Sequence, residues 1–326
     1  MRIPARVMVI AVAGAVAIGA VAAWSTGSFS PSGAPSAASN VGAAVARSVP
    51  RSTRPAPTPS ATSPLRVIGT PAGVQARAGV LADATTGSVL WSRDLNTELP
   101  IGSITKVMTA LVVIRAGDLN REIQVPKAVI AYVSKYGGES AGLHPGDVLT
   151  AQELLEAMLL PSGCDAAYTL AMAYGPGMPA FLAKMNATAK QLGMRHTEFT
   201  SPDGLPYPTE FSTFSTPADL LELGLAAMQS AVFRSIVAQP FYQLKKGPGH
   251  HAYWWDNDND LIGTYPGATG IKTGFTNAAL HCLLFSATRR NVSLIGVVLG
   301  SPATSPAAGA IAATRVLNWG FSLPPS

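Results

Sequence analysis

Strands at both ends of the chain, with helices between them, limit the possible folds more than any other feature. Near the N-terminal side, "AGVLADATTGSVLWSRD" holds two apolar runs, Ala78–Ala82 and Ser88–Ser92, around Thr85-Thr86-Gly87. Two such runs about a glycine turn predict a hairpin. After residue 265 strand patterning returns in "TGIKTGFT", "LHCLLFSAT" and "VSLIGVVLG", joined by short polar turns. Between the two regions the period becomes helical. From Ser103 to Ala116, residues Ile104, Val107, Met108, Leu111 and Val112 keep helical spacing, and Gly117 supplies the stop. "TAQELLEAMLL" begins at Thr150 with Glu153 three residues on, a capping box. Helices are also predicted over Asp165–Ala173, "MPAFLAKMNATAKQLGM", "TPADLLELGLAAMQ" (Thr216 as cap before Pro217) and Pro306–Trp319. The pattern predicts an α/β fold of the α+β type. An antiparallel sheet from 71–100 and 262–326 is flanked by helices, and a helical lobe is inserted over about 103–235. The junction of lobe and sheet is a natural place for a cleft.

The first seventy residues read differently. After Met-Arg-Ile-Pro-Ala-Arg comes "VMVIAVAGAVAIGAVAA", an uncharged run that marks residues 1–24 as an export signal or N-terminal membrane anchor. Ala20-Val21-Ala22 offers a cleavage site, while the run is only slightly short of a full span. Residues 25–70 are dominated by Ser, Pro, Ala, Gly and Thr and are expected to be a disordered spacer, because they cannot bury enough surface to offset ordering. The catalytic part is expected over 71–326, outside the cytoplasm. The formal charge of +5 belongs to the tail, since six arginines and no acid precede residue 67. The rest of the chain is near balance, which excludes a basic nucleic-acid-binding face. Cys164 and Cys282, the two cysteines, are expected to remain separate thiols. The five histidines (144, 196, 250, 251 and 281) lack ligand spacing, so no metal or other cofactor is expected, and His250-His251 reads as a solvated loop pair. Tyr253, Trp254 and Trp255 read as packing residues.

Three short motifs carry chemistry. In "IGSITK", Ser103 and Lys106 stand one helical turn apart on one face. A serine hydroxyl needs a base within hydrogen-bond reach to act as a nucleophile. A lysine serves only when neutral, which burial and a second nearby cation favour. "SGC" places Ser162 59 residues after Ser103, and "GIKTGFT" places Lys272 110 residues further on. Each motif by itself fits an ordinary helix start, loop or strand edge. Their conjunction, S-x-x-K, then S-x-x, then K-T-G, is the pattern of serine penicillin-recognising enzymes.

From about Ala78 to Gly300 the chain resembles the low-molecular-weight penicillin-binding proteins of the D-alanyl-D-alanine carboxypeptidase type. The stretches "LADATTGSVLW", "LHPGDVLTAQELLEAMLLPSGCDAA", "SPDGLP" and "YPGATGIKTGFT" add to the motifs. The resemblance implies a DD-peptidase/β-lactamase-like fold and an acyl-enzyme formed at Ser103, with Lys106 as proton acceptor. Ser162 would relay protons to the leaving amine. Lys272, Thr273 and Gly274 would bind the terminal carboxylate, and the backbone N–H groups of Ser103 and Phe275 would form the oxyanion hole. The implied partners are peptidoglycan stem peptides ending in D-Ala-D-Ala, with β-lactams as covalent inhibitors. Membrane contact is expected only through the N-terminal segment. Cys164 departs from the commoner pattern, which has asparagine there. A thiol is a weak donor, so activity should be tuned and not abolished. The Ser-Gly-Cys form resembles that of a subgroup of small DD-transpeptidases, which keeps transfer beside hydrolysis.

Two other readings stay open at this point. The class A β-lactamase interval from Ser162 lands on Glu198, although Pro202 stands where those enzymes carry asparagine. A catalytically idle wall-binding homologue would keep the same fold.

Overall fold

The computed structural model describes residues 65–324. Strands β1 (Ala78–Asp83) and β2 (Val89–Arg93) form the expected hairpin. Asp83 Oδ1 accepts from the amides of Thr85 and Thr86 at 2.8 and 3.0 Å, an Asx turn that fixes the reversal. A short β3 (Leu99–Pro100) leads into a single 3-10 turn, Gly102–Ile104, and then α1 (Thr105–Ala116). The lobe continues through β4 (Glu122–Gln124), α2 (Ala128–Tyr136), β5 (Val148–Thr150), α3 (Ala151–Leu159), α4 (Cys164–Tyr174), α5 (Met178–Gln191), β6 (Phe214–Ser215), α6 (Pro217–Ala227) and α7 (Ala231–Val237). A second hairpin, β7 (Phe241–Leu244) and β8 (Tyr253–Asp256), precedes β9 (Ala268–Thr276), β10 (Leu280–Arg289), β11 (Val292–Ser301) and α8 (Ala308–Ser322).

The main sheet is antiparallel in the order β2-β1-β11-β10-β9, so the N-terminal hairpin completes a sheet begun by the C-terminal strands. Its central strands are buried on both faces, which is why their sequences are nearly unbroken apolar runs. Leu81, Phe285, Leu294, Val316 and Leu317 form one buried cluster. Val80, Met108, Leu220, Leu284 and Val297 belong to a larger one, which continues into the lobe. At about 25 cal/mol per Å² of apolar surface removed from water, these two cores dominate the stability of the unit. Helix α1 is buried from Thr105 through Val113 and forms part of the larger core.

Three expectations change. Ser103 does not open the helix; it lies in the 3-10 turn, because Gly102 at φ +52° turns the chain sharply just before it. The described residues already include Leu65 to Thr70, which the sequence pattern assigns to the spacer. The amide of Arg66 donates to the Pro324 carbonyl at 3.0 Å, and Trp319 Nε1 donates to the Ile68 carbonyl at 3.2 Å. Leu65 packs on the same cluster as Trp319 and Phe321, so the end of the nominal spacer closes against α8. Helices α2 and α7 and the β7–β8 hairpin are additions to the sequence pattern. The segment 1–24 and the spacer through residue 64 lie outside the described residues.

Candidate active site

The three motifs meet in one cleft, lined among others by Ser103, Ser162, Cys164, Thr273, Gly274 and Phe275. Lys106 follows Ser103 by one turn, is fully buried, and its Nζ donates to Ser103 Oγ at 2.8 Å. The same nitrogen reaches the Asp203 carbonyl at 3.1 Å and Cys164 Sγ at 3.4 Å. An amine held by three partners has one orientation, and it points at the serine.

Ser162 arrives from the loop before α4. It is buried, adopts φ +64°, and its Oγ has no hydrogen-bond partner. A non-glycine residue in left-handed backbone costs on the order of 1–3 kcal/mol. An unpaired buried hydroxyl costs about 1–3 kcal/mol more. Strain and unused hydrogen-bonding capacity therefore coincide on a residue that faces the cleft. Next in the chain, Asp165 secures the cleft wall: its carboxylate accepts from Ser140 Oγ and from the amides of Ala141 and Leu143 at 2.6, 2.9 and 3.0 Å.

Cys164 begins α4, and its amide donates to the Glu139 carbonyl at 2.8 Å. Burial pushes its thiol up to about 12, with Lys106 pulling the other way, so it is a neutral thiol at physiological pH. Cys282 is also free and buried, and the two do not form a disulfide.

The opposite wall is β9. Lys272 is buried and donates from Nζ to Thr273 Oγ1 at 3.0 Å. Burial, with the Lys106 charge adding to it, pushes the Lys272 ammonium down to about 8 against the pull of Asp258 and Glu139. Below that pH Lys272 is a cation beside the Thr273 hydroxyl. Gly274 lines the cleft, but its missing side chain serves the fold: a Cβ there would lie 2.4 Å from the Ile101 carbonyl. A Cβ on Gly102 would lie 2.8 Å from the Phe275 nitrogen, so the first and third motifs meet backbone to backbone.

Asp203 and Tyr132 were not singled out from the sequence. Tyr132 Oη donates to Asp203 Oδ2 at 2.8 Å, and burial followed by the Asp203 carboxylate pushes the Tyr132 pKa up. "SPDGLP" was visible as a stretch, whereas nothing local links Tyr132 to it. Tyr253 and Trp255 are buried and Trp254 is exposed. None of the three lines the cleft, while Asp258 and Asp260 just beyond them do. Glu198 is exposed, exchanges both backbone hydrogen bonds with Phe214 at 3.1 Å, and is absent from the cleft lining. That placement removes the support for a β-lactamase-type deacylating glutamate. His144 and His251, far apart in sequence, are brought together with Asp147.

A buried lysine hydrogen-bonded to a serine one turn away, between a helical lobe and an antiparallel sheet, defines an active-site serine enzyme of the DD-peptidase class. Residues 66–303 match the model of the D-alanyl-D-alanine carboxypeptidase family, and the chain belongs to that family. A D-alanyl-D-alanine carboxypeptidase of Streptomyces sp. strain K15 is 38% identical over 77% of this chain and 88% of its own length. One of Mycobacterium tuberculosis is 38% identical over 77% and 84%. The crystal structure of the Streptomyces K15 DD-transpeptidase superposes with a TM-score of 0.73 at 36% identity, covering 78% of this chain and all of that one. The chain is a serine-type DD-peptidase with an α+β fold.

Proposed function

We propose that the protein acts on peptidoglycan stem peptides ending in D-Ala-D-Ala, through an acyl-enzyme at Ser103. The observation that carries this reading is the Lys106 Nζ to Ser103 Oγ hydrogen bond of 2.8 Å, with the unpaired Ser162 hydroxyl in the same cleft. Lys106 accepts the Ser103 proton as Oγ attacks the carbonyl of the penultimate D-alanine. Negative charge develops on that carbonyl oxygen and is received by the amides of Ser103 and Phe275, each such donor worth about 10²–10³ in rate. Ser162 passes the proton from Lys106 to the departing D-alanine amine. Lys272 and Thr273 hold the terminal carboxylate and so fix which bond meets Ser103.

The acyl-enzyme is then resolved by water, giving a carboxypeptidase, or by an amine of a second stem peptide, giving a transpeptidase. Cys164 bears on that choice: it touches Lys106 but can donate only weakly to a substrate backbone, so it loosens one contact without removing the base. The likeness to a DD-transpeptidase structure favours including transfer. β-Lactams enter as carboxylate-bearing acylating agents that use the same groups. Residues 1–24 are read as the export signal or anchor, which places 71–326 outside the cytoplasm with the Pro/Ser-rich stretch as spacer.

The test is intact mass after mixing the protein with benzylpenicillin, followed over minutes to hours, with Ser103→Ala as control. A persistent adduct that maps to Ser103 and is absent from the variant is the expected result. Rapid turnover of penicillin would assign a β-lactamase, and no adduct would assign an idle homologue.

A further inference from the structure

A second cluster lies outside the cleft, where two loops distant in sequence meet. His144, Pro145, Gly146 and Asp147 form the turn before β5, and His250 and His251 lie in the loop joining β7 to β8. The Val148 amide donates to the Gly249 carbonyl at 2.9 Å, which registers one loop against the other. Asp147 is buried between them, with 8% of its side chain exposed. It accepts from the His251 amide at 2.9 Å and from the Tyr253 hydroxyl at 2.6 Å. His251 Nδ1 stands 2.9 Å from each of its oxygens. The His144 ring stacks on that of His251 at 4.0 Å, and its Nδ1 lies 3.2 Å from the Tyr253 hydroxyl. One donor atom from each of His144, Asp147 and His251 falls within 4.8 Å of the others.

We propose that His144, Asp147 and His251 form a binding site for a first-row divalent transition-metal ion, with water completing its shell. Two imidazoles and a carboxylate are the donor set that suits Zn²⁺ and its neighbours, whereas Mg²⁺ and Ca²⁺ prefer oxygen alone. The carboxylate can only accept, so the proton it shares with His251 is on Nδ1. On binding, the ring changes tautomer: the Nδ1 proton is lost to solvent, Nε2 takes one up, and the Nδ1 lone pair of the neutral imidazole takes the ion. Two ligands about 2.05 Å from a tetrahedral ion stand about 3.3 Å apart, so the 2.9 Å hydrogen bond between Nδ1 and the carboxylate opens by only a few tenths of an ångström as the ion enters. Tyr253 and the His251 amide keep their hydrogen bonds to Asp147 and orient it, as outer partners of metal ligands do. His144 is exposed, so its ring is free to turn out of the stack and add the third ligand.

The ion would tie the β7–β8 loop to a segment whose other end, Gly138 and Glu139, lines the active cleft. This inference is independent of the peptidase reading.

The test is Zn²⁺ binding by calorimetry to metal-stripped protein carrying no histidine tag. One equivalent is expected, not displaced by excess Mg²⁺. His144→Ala and His251→Ala should each weaken binding by about tenfold or more. Each of these rings is exposed, so the variants should fold, and unchanged penicillin acylation confirms it. His196→Ala and His281→Ala should bind as the parent does. Co²⁺ in place of Zn²⁺ should show nitrogen and oxygen ligands and no thiolate charge-transfer band, which separates this site from Cys164 and Cys282. Binding of less than a fifth of an equivalent at about 100 µM Zn²⁺ would overturn the proposal, that concentration lying far above the dissociation constant of a three-ligand site. So would binding by both histidine variants as tight as the parent's.

Discussion

The two walls of the cleft are built on different principles. The helical wall collects Ser103, Lys106, Ser162 and Cys164, and one lysine nitrogen ties Ser103, Cys164 and the Asp203 carbonyl together. It carries the left-handed Ser162 and its unpaired hydroxyl. The sheet wall takes Lys272 to Phe275 from one strand, registered by pairing Lys272 with Leu284 and Phe275 with His281. Gly274 seats that strand against the Ile101 carbonyl. Strain and unsatisfied hydrogen-bonding capacity sit on the wall proposed to make and break bonds, while a rigid ladder carries the wall proposed to hold the carboxylate. Substitutions on the first wall should therefore change rate, and those on the second should change binding or stability.

The sharpest way to break that division is Lys106→Gln. It should lower the acylation rate by about 10²–10⁴ with little change in KM, measured by stopped-flow with a chromogenic β-lactam. A variant that raised KM and kept the rate would collapse the distinction. On the other wall, Lys272→Gln removes a charged hydrogen bond worth about 1.5–3 kcal/mol, and should cut kcat/KM for a D-Ala-D-Ala peptide by roughly 10- to 200-fold, mostly through KM. The parent should show the matching pH dependence. In the proposed role Lys272 would bind carboxylate in its charged form, which is present below about 8 and lost above it, so kcat/KM should fall as pH rises through that value. A flat profile between pH 7 and 9 would show that this cation does not hold the substrate.

Gly274→Ala probes the seat of the strand. The added methyl meets backbone that cannot move aside, so a loss of about 1–3 kcal/mol in stability is expected from denaturant unfolding. An unchanged midpoint would mean that the two motifs are less tightly joined than the geometry shows. The smallest effect belongs to Cys164→Asn. It exchanges a weak donor for a stronger one beside Lys106, worth about 0.5–1.5 kcal/mol, and should move the hydrolysis-to-transfer ratio by less than about tenfold. Product analysis with and without an amine acceptor measures it. No change in that ratio would leave Cys164 without a role in acceptor choice.

Legibility varied with how local each feature is. The Thr150–Glu153 capping box and the Thr216 cap stand as read, because every partner lies within three residues. Helix α2 escaped notice because only Val129 of its nine residues is buried and its start has no side-chain cap, which leaves little periodic signal. The contacts of Leu65 to Ile68 were not legible because their partners lie around Trp319 and Pro324, some 250 residues away. The histidines show no ligand spacing in the sequence for the same reason, since His144 and His251 are neighbours only once the two loops dock.

From the sequence by itself came the α+β class, the three motifs and the residues Ser103, Lys106, Ser162, Lys272 and Thr273. Chemistry restricts which side chains can do such work, and short-range periodicity and capping report which elements carry them. Tertiary structure alone decided that Lys106 touches Cys164 and the Asp203 carbonyl, and that Ser162 keeps its hydroxyl free. It also decided that Gly274 makes room for Ile101, and that Glu198 stands apart from the cleft. These are statements about distance between segments far apart in the chain. Only the packing of the lobe against the sheet sets such distances, through close contacts that a linear pattern does not encode.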